Sequence, residues 1–283
     1  MATVLYGPPG AMTPISNETL SVALIGCGAI GSNIVRLLSQ ATGDDSRVSV
    51  VGVLKRSQEA VAVPSVSLVE AIEQLVERRP ALIVECAGQT AVRTFGPAVL
   101  KSGIDFMVVS AGALADATLF DDLMRQAKGN GARLLVPAGA VAGLDGLSAL
   151  RLGGLNSVRY TATKHPRAWK GTPAEKSTVL DTVTKRTIVF EGSAREAALA
   201  FPQNANIAAT VGLAGVGLDK TIVRLVADPG VTRNSAMVEA EGSLGTLTCK
   251  LESQPSSNPK TSATVAYSVV NAILRRSAAL CIQ

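Results

Sequence analysis

The sequence predicts an α/β fold: a doubly wound parallel sheet, then an α+β domain with a mostly antiparallel sheet. Three observations carry that prediction. A short apolar run, Val22–Ile25, leads directly into the glycine pattern Gly26-x-Gly28-x-x-Gly31. Further short apolar segments then alternate with helical patterns as far as residue 140 or so, the pattern of parallel strands joined by helices. Beyond Gly143 the strands no longer alternate strictly with helices, and Ser157–Thr163 has the period-2 pattern of a half-exposed strand.

The first element organises the rest. Val22–Ile25 reads as a strand buried on both faces, and Ile30, Ile34, Leu37 and Leu38 behind the glycines recur at helical spacing. Strand, glycine turn and helix in that order are the context in which this fingerprint binds a dinucleotide. Gly26 permits the tight turn, Gly28 lets backbone approach a pyrophosphate, and Gly31 lets helix and strand pack closely. Ala29 and Ile30 open the helix, whose N-terminal N–H groups and partial positive charge suit phosphates. The expectation is a Rossmann-type domain binding NAD or NADP.

Arg47–Leu54 reads as the second strand. Dinucleotide folds that prefer NAD place an acidic residue near its end, for the ribose 2′-OH. Here Lys55, Arg56 and Ser57 stand there instead. Either the two cations receive a 2′-phosphate, so that NADP is tolerated, or they are solvated loop residues. Ser67–Val76 has helical periodicity. Ala81–Cys86 is the next strand, with Thr90 as the expected N-cap of a helix running to Ser102. Phe106–Ser110 is a strand, Ala117–Lys128 a helix, and Arg133–Val136 a strand. These strands end in small residues, at Ala87–Gly88, Ala111–Gly112 and Gly139–Ala140. Ligands of such sheets bind beyond the carboxyl ends of the strands.

After a helix near Leu144–Leu150, strands are expected at Ser157–Thr163, Thr187–Glu191, Val223–Ala227, Ser235–Ala240 and Leu244–Leu251, and helices at Ala194–Leu199 and Asn206–Leu213. Asn258-Pro259 has N-cap and N1 character and should open a last helix, with Val265, Val269, Val270, Ile273 and Leu274 on its buried stripe. That helix is expected to return to the first domain. The expected division is an N-terminal arm (1–20), a dinucleotide-binding domain (21–140), an α+β catalytic and oligomerisation domain (141–257) and the returning helix (258–283).

Composition narrows the function. The chain of 283 residues is 47% hydrophobic but only 3% aromatic, so its core is built mainly from Ala, Val, Leu and Ile. No apolar run is long enough for a membrane span, and the N-terminus lacks a signal-peptide pattern. The net charge of +5 comes from scattered residues, with few aromatics to stack on bases, so nucleic acid is not an expected partner. Cys27, Cys86, Cys249 and Cys281 show no metal spacing, and no metal is expected. Reduced thiols in a cytoplasm are the expectation.

Several second-half stretches are unusually polar: Thr163–Ala174, Phe201–Thr210, Asp228–Ala236 and Asn258–Ser262. Asn206 offers the donor and acceptor that a nicotinamide carboxamide needs, or it is a helix cap. Arg233, Lys260 and Thr261 suit substrate carboxylates, or are solvated. His165, the one histidine, lies between Lys164 and Arg167, cations that disfavour its protonated form, and is a weak candidate for a base.

Together these residues resemble the L-aspartate dehydrogenase family from about Val22 to Leu274. The matching blocks are Gly26-Cys-Gly-Ala-Ile-Gly31, Val84-Glu-Cys-Ala-Gly88, Pro137-Ala-Gly-Ala140, Ala168-Trp-Lys-Gly-Thr-Pro-Ala-Glu175, Phe201-Pro-Gln-Asn-Ala-Asn206, Ala227-Asp-Pro-Gly-Val-Thr-Arg-Asn234 and Asn258-Pro-Lys-Thr-Ser262. The resemblance implies a dimer-prone oxidoreductase taking L-aspartate and NAD(P)⁺ to iminoaspartate, which hydrolyses to oxaloacetate and ammonia, and running the reverse reductive amination. It implies cofactor contacts at Ala140 and Asn206. It also implies a catalytic histidine two residues after Asn234, but Ala236 stands there. Either a His→Ala change has been introduced, which the intact motif set favours, or this branch has lost or moved the function. Smaller departures are Gln89, where His is common, and Ala138, where Ser is. The alternatives are another amino-acid or 2-oxo-acid dehydrogenase, such as one resembling homoserine dehydrogenase, or a non-catalytic NADP(H) sensor.

Overall fold

Strands that are apolar on both faces need a helical layer on each side, and the chain supplies two. The computed structural model describes residues 19–41, 47–55, 66–256, 262–278 and 280. Its first sheet is wholly parallel and comprises β1 (Leu20–Ile25), β2 (Val48–Leu54), β3 (Leu68–Val69), β4 (Leu82–Glu85), β5 (Asp105–Val108) and β6 (Leu134–Leu135), in spatial order β3-β2-β1-β4-β5-β6. Strand order reverses between β1 and β4, which opens a crevice at their carboxyl ends. Helices α1 (Ala29–Gln40), α2 (Ile72–Glu77), α3 (Gln89–Lys101) and α4 (Ala117–Gly129) cover the faces. Val22, Leu24, Leu82 and Val84 pack against Ile34, Val35 and Leu38 of α1, while Ala23, Ile25, Ile83 and Phe106 pack on the α2–α4 side.

Two expectations are corrected here. Residues 67–76 are not one helix. Val53 N–H donates to Ser67 O (2.9 Å) and Lys55 N–H to Val69 O (3.2 Å), so sheet pairing captures the segment as β3. Gln74 Oε1 then accepts from the N–H groups of Glu70 and Ala71 (3.0 and 3.2 Å), and α2 starts only at Ile72. Nor is Thr90 an N-cap. The cap position is Gly88, at φ +105°, and α3 begins at Gln89.

The second sheet has the order β11-β10-β7-β9-β8, from β7 (Leu155–Lys164), β8 (Thr187–Ser193), β9 (Ile222–Ala227), β10 (Asn234–Gly242) and β11 (Gly245–Ser253). Its pairs are antiparallel except β7 with β9. One face carries Val158, Tyr160, Ala162, Leu225, Ala236 and Val238 into a core closed by α5 (Leu144–Gly153), α6 (Ala174–Ser177), α7 (Ala194–Ala200) and α8 (Asn206–Ala214). The lone tryptophan, Trp169, is fully buried there, its indole N–H donating to Val226 O at 3.1 Å.

The last helix, α9 (Thr264–Leu274), returns to the first sheet and packs on α1, with Ala266, Val269, Val270 and Ile273 in the same core as Val22 and Leu24. It starts at Thr264 behind Ala263; the expected Asn258-Pro259 cap lies outside the described residues. Val265 and Leu274 are only partly buried. Beyond the helix, Arg276 reaches Asp105 at 2.7 Å, a carboxylate that Arg133 also holds at 2.7 Å.

Candidate active site

The site begins at the glycine turn. Gly26 sits at φ +96°, and a Cβ there would lie 2.7 Å from that of Ala87, so the turns after β1 and β4 touch. A Cβ on Gly31 would collide with Gly26 O and stand 2.9 Å from Cys86 Sγ, which is the close helix–strand approach expected of the third glycine. At Gly28 a Cβ would meet nothing, so backbone is open to a ligand. Ala29, Ile30, Gly88, Gln89, Thr90, Ser110 and Asn206 line the crevice beyond β1, β4 and β5.

Glu85 fixes the crevice floor. Its carboxylate is fully buried and accepts from the N–H groups of Ala87 and Gly88 (both 2.7 Å), from Ser110 N–H (3.0 Å) and from Ser110 Oγ–H (3.0 Å). Burial pushes its pKa up, and these donors oppose the rise. A carboxylate is suited to this position because it offers only acceptors to converging donors.

The crevice runs into a second cavity, which shares Ile30, Val109, Gln203 and Asn206 with it. This cavity is closed by Pro137–Ala140 of the first half and by Tyr160, Lys164, Asn204, Asn234, Ala236, Ser253, Ser262 and Val265 of the second. Asn206, at the start of α8, spans both. Its Oδ1 accepts from Gly112 N–H (3.0 Å) and lies 3.4 Å from Gln89 Nε2, which also reaches Pro202 O (3.2 Å). With its oxygen so engaged, the side-chain NH₂ is the part of Asn206 left for a ligand. Ala140 is buried on the wall, and the neighbouring Gly139 N–H donates to Ser268 Oγ of α9 at 2.9 Å. Asn234 is buried and donates to Ser262 Oγ (3.3 Å). Ala236 stands opposite Ala162 on the inward face of β10. A crevice at the strand-order reversal, an open Gly28 and a helix N-terminus fit a dinucleotide.

The structure does not gather every expected residue. Arg233 is exposed and lines a neighbouring groove with His165 and Arg167, joined to the cavity through Asn234. His165 Nδ1 accepts from the backbone and side-chain N–H groups of Arg167 (both 3.3 Å), a turn-capping role outside the cavity. Lys55 directly follows β2, while Arg56, Lys260 and Thr261 lie outside the described residues. Sequence reasoning missed Lys164, Tyr160 and Ser262 as cavity residues. The signal for Lys164 was present: it continues the inward parity of Val158, Tyr160 and Ala162, where a charge is costly. It is 7% exposed, and burial lowers its pKa to about 8.

Comparisons with known proteins agree with this geometry. Residues 145–276 match the profile described as "Aspartate dehydrogenase, C-terminal", and residues 26–137 match "Homoserine dehydrogenase, NAD binding domain". The chain is 42% identical over 268 residues to an L-aspartate dehydrogenase of Ralstonia nicotianae, covering 93% of this chain and 100% of that one. It is 44% identical to an L-aspartate dehydrogenase of Pseudomonas aeruginosa, covering 90% and 96%. The crystal structure of an aspartate dehydrogenase from Thermotoga maritima superposes with a TM-score of 0.76 at 26% identity, covering 93% of this chain and 99% of that one. An archaeal homoserine dehydrogenase in complex with NADPH shares the fold, with a TM-score of 0.59 at 14% identity over 91% and 97%. By descent and by architecture, the chain belongs to the L-aspartate dehydrogenase family.

Proposed function

We propose that the chain catalyses the NAD(P)-dependent oxidative deamination of L-aspartate to iminoaspartate and oxaloacetate, and the reverse reductive amination, at a rate reduced by Ala236. The observation that carries this reading is the single cavity in which Asn206 borders the dinucleotide crevice while Asn234 and Ala236 face it from the second sheet. Residues 21–140 hold the dinucleotide in this reading, residues 141–257 the substrate, and residues 258–283 return to close the first sheet. The enzyme works as a cytoplasmic homodimer on small molecules.

Bound NAD(P) supplies the hydride acceptor or donor. Gly26, Gly28 and Gly31, with the N–H groups of Ala29 and Ile30, hold its pyrophosphate. Ala87 and Gly88 would border it, Lys55 and Arg56 would receive a ribose 2′-phosphate, and Ala140 and Asn206 would position the nicotinamide. Arg233, Lys260 and Thr261 receive the substrate carboxylates, and Asn234 orients the reacting centre. A methyl group at 236 neither gives nor takes a proton, and loss of a general acid–base group typically costs about 10²–10⁴-fold.

The test is oxidation of NADPH and of NADH with oxaloacetate and ammonia, comparing the chain with its Ala236→His variant. Restoration of turnover by orders of magnitude is the expected result. A full rate without histidine overturns the role of position 236. Dinucleotide binding with no turnover by either protein overturns the substrate, leaving a sensor or another oxo-acid dehydrogenase.

A further inference from the structure

We propose that Lys164 is the proton-transfer group of this cavity, carrying between the substrate's nitrogen and oxygen the proton that the Ala236 methyl cannot carry. The inference rests on the reading of the site as an amino-acid dehydrogenase and deepens it.

Three observations place Lys164 in the role. β7 and β10 are antiparallel, with Ala162 opposite Ala236 and Tyr160 opposite Val238. Lys164 therefore stands two residues along the same inward face, diagonal to Ala236. Diagonal neighbours across strands are about 7–8 Å apart at the backbone, within reach of a long side chain. The methyl of Ala236 leaves the intervening space to the cavity. Next, among the described residues that line this cavity, Lys164 and Tyr160 alone have titratable side chains. Burial pushes the Tyr160 phenol further above its ordinary range, so it cannot act as a base near neutrality. Finally, the Lys164 ammonium lies 5.5 Å from the centroid of the Trp169 ring, which fixes its position against a buried, rigid surface.

The charged and titratable groups around it do not share its cavity. They are His165, Arg167 and Lys170 about the turn after β7, Asp228 after β9, Arg233 before β10 and Glu252 on β11. α8 carries none. Desolvation by burial holds the amine at about 8, so a working fraction is neutral at pH 7–8.

In the aminating direction, ammonia bonds to the carbonyl carbon of the oxo acid and the C=O pair moves to oxygen. The neutral Lys164 amine takes a proton from the added nitrogen and returns it to that oxygen, giving the carbinolamine. A second proton, drawn from solvent through the Lys164 ammonium, goes to the hydroxyl group. The C–O bond breaks, water leaves, and the nitrogen lone pair closes the iminium, which is the hydride acceptor. Deamination runs the same transfers backwards.

The experiment uses Trp169, the only tryptophan of the chain, as a reporter needing neither substrate nor cofactor. Trp169 emission is titrated from pH 6 to 10 in the unmodified chain, Lys164→Met and Lys164→Arg. NADPH binding by each variant confirms that it is folded. The pH profile of kcat with oxaloacetate, ammonia and NADPH is then measured. The expected result is an emission midpoint near 8 that vanishes in Lys164→Met, a limb of kcat at the same pH, and a kcat lowered about 10²–10³-fold in both variants with KM for oxaloacetate within threefold. Lys164→Arg keeps the charge, so a purely electrostatic or structural role would be rescued by it. Adding Ala236→His to Lys164→Met should recover most of the lost kcat. An emission midpoint that persists without Lys164, an unchanged kcat in Lys164→Met or rescue by Lys164→Arg overturns the role of Lys164 while leaving the aspartate dehydrogenase reading intact. A Lys164-dependent midpoint in a chain that turns over no oxaloacetate, with or without Ala236→His, overturns both.

Discussion

Gly112 donates its backbone N–H to the side-chain oxygen of Asn206 across 3.0 Å, and this bond stitches the start of α8 to the turn that follows β5. The Asn206 amide thereby faces the cavity with its NH₂ group. Asn206→Ala should leave the Gly112 N–H unpaired and destabilise the protein by about 1–3 kcal/mol. Asn206→Asp keeps the acceptor, so its thermal midpoint should stay close to that of the parent, yet its NADPH affinity should fall at least tenfold. Gly112→Ala should resemble Asn206→Ala, because its Cβ would press on Gln89 Nε2 and come within 2.7 Å of Asn206 Oδ1. Thermal unfolding read beside NADPH titration separates the three.

Glu85 makes a second prediction. Glutamine at this position would turn an NH₂ group toward the N–H groups of Ala87, Gly88 and Ser110, which now donate to the carboxylate. Glu85→Gln should cost about 2–4 kcal/mol and weaken dinucleotide binding, since Gly88 borders the crevice. Denaturant unfolding with and without NADPH measures both effects. Equal stability of the variant and the parent would show that the four donors find other acceptors.

Acid should loosen the clasp between Asp105 and Arg276. Burial raises the Asp105 pKa, but hydrogen bonds from Arg133 and Arg276 outweigh it and hold the carboxyl below its ordinary range. A carboxylate depressed in the folded state contributes stability above its unfolded pKa and loses it as pH falls through the folded value. Arg276→Ala should therefore lower the thermal midpoint at pH 7 and lose that deficit on acidification below the ordinary Asp range. A deficit of about 1–3 kcal/mol at neutral pH is expected for this partly buried pair. Calorimetry at pH 7 and pH 3 decides it.

Lys164 gives a prediction at the alkaline end, where the charged form costs stability instead of supplying it. Its pKa is about 8 in the folded chain, below the ordinary lysine value of 10.5. Between these values the unfolded chain binds more protons than the folded one, so stability from this group rises with pH across that window. Below pH 8 the burial cost is present in full. Lys164→Met should raise stability at pH 7 by about 1–3 kcal/mol while lowering kcat about 10²–10³-fold, and should flatten the stability profile between pH 8 and 10. A variant less stable than its parent at pH 7 would mean that the ammonium holds the fold together.

The glycine turn was legible because each glycine answers a local need: a positive φ at Gly26, open backbone at Gly28 and a helix pressed onto a strand at Gly31. The strands of the first sheet were legible for a similar reason, as burial on both faces leaves a continuous apolar run. Elements decided by partners far along the chain were not. Leu68 and Val69 have helical spacing with their neighbours but are claimed by the edge of β2, and a two-residue strand leaves no period to read. Gly88 rather than Thr90 caps α3 because Glu85 binds the turn, a tertiary bond invisible to capping rules. Lys164 was read as the start of a polar loop, whereas the strand runs one residue further and carries the charge inward. That β7 pairs in parallel with β9 follows from the route of the connecting helices, not from alternation within either strand.

The route of the chain also dictates how the protein must be made. The second sheet is inserted between β6 and α9, so the apolar face formed by Val22, Leu24, Leu82 and Val84 receives part of its cover from the far end of the sequence. On the ribosome, the first sheet is translated well before α9 exists. Until Val269 and Ile273 emerge and dock, a nascent chain carries that face incompletely covered, and exposed apolar surface of this kind is what drives aggregation and recruits chaperones. Fragments that stop before Thr264 should share the same defect permanently, which makes the last helix a checkpoint for complete synthesis.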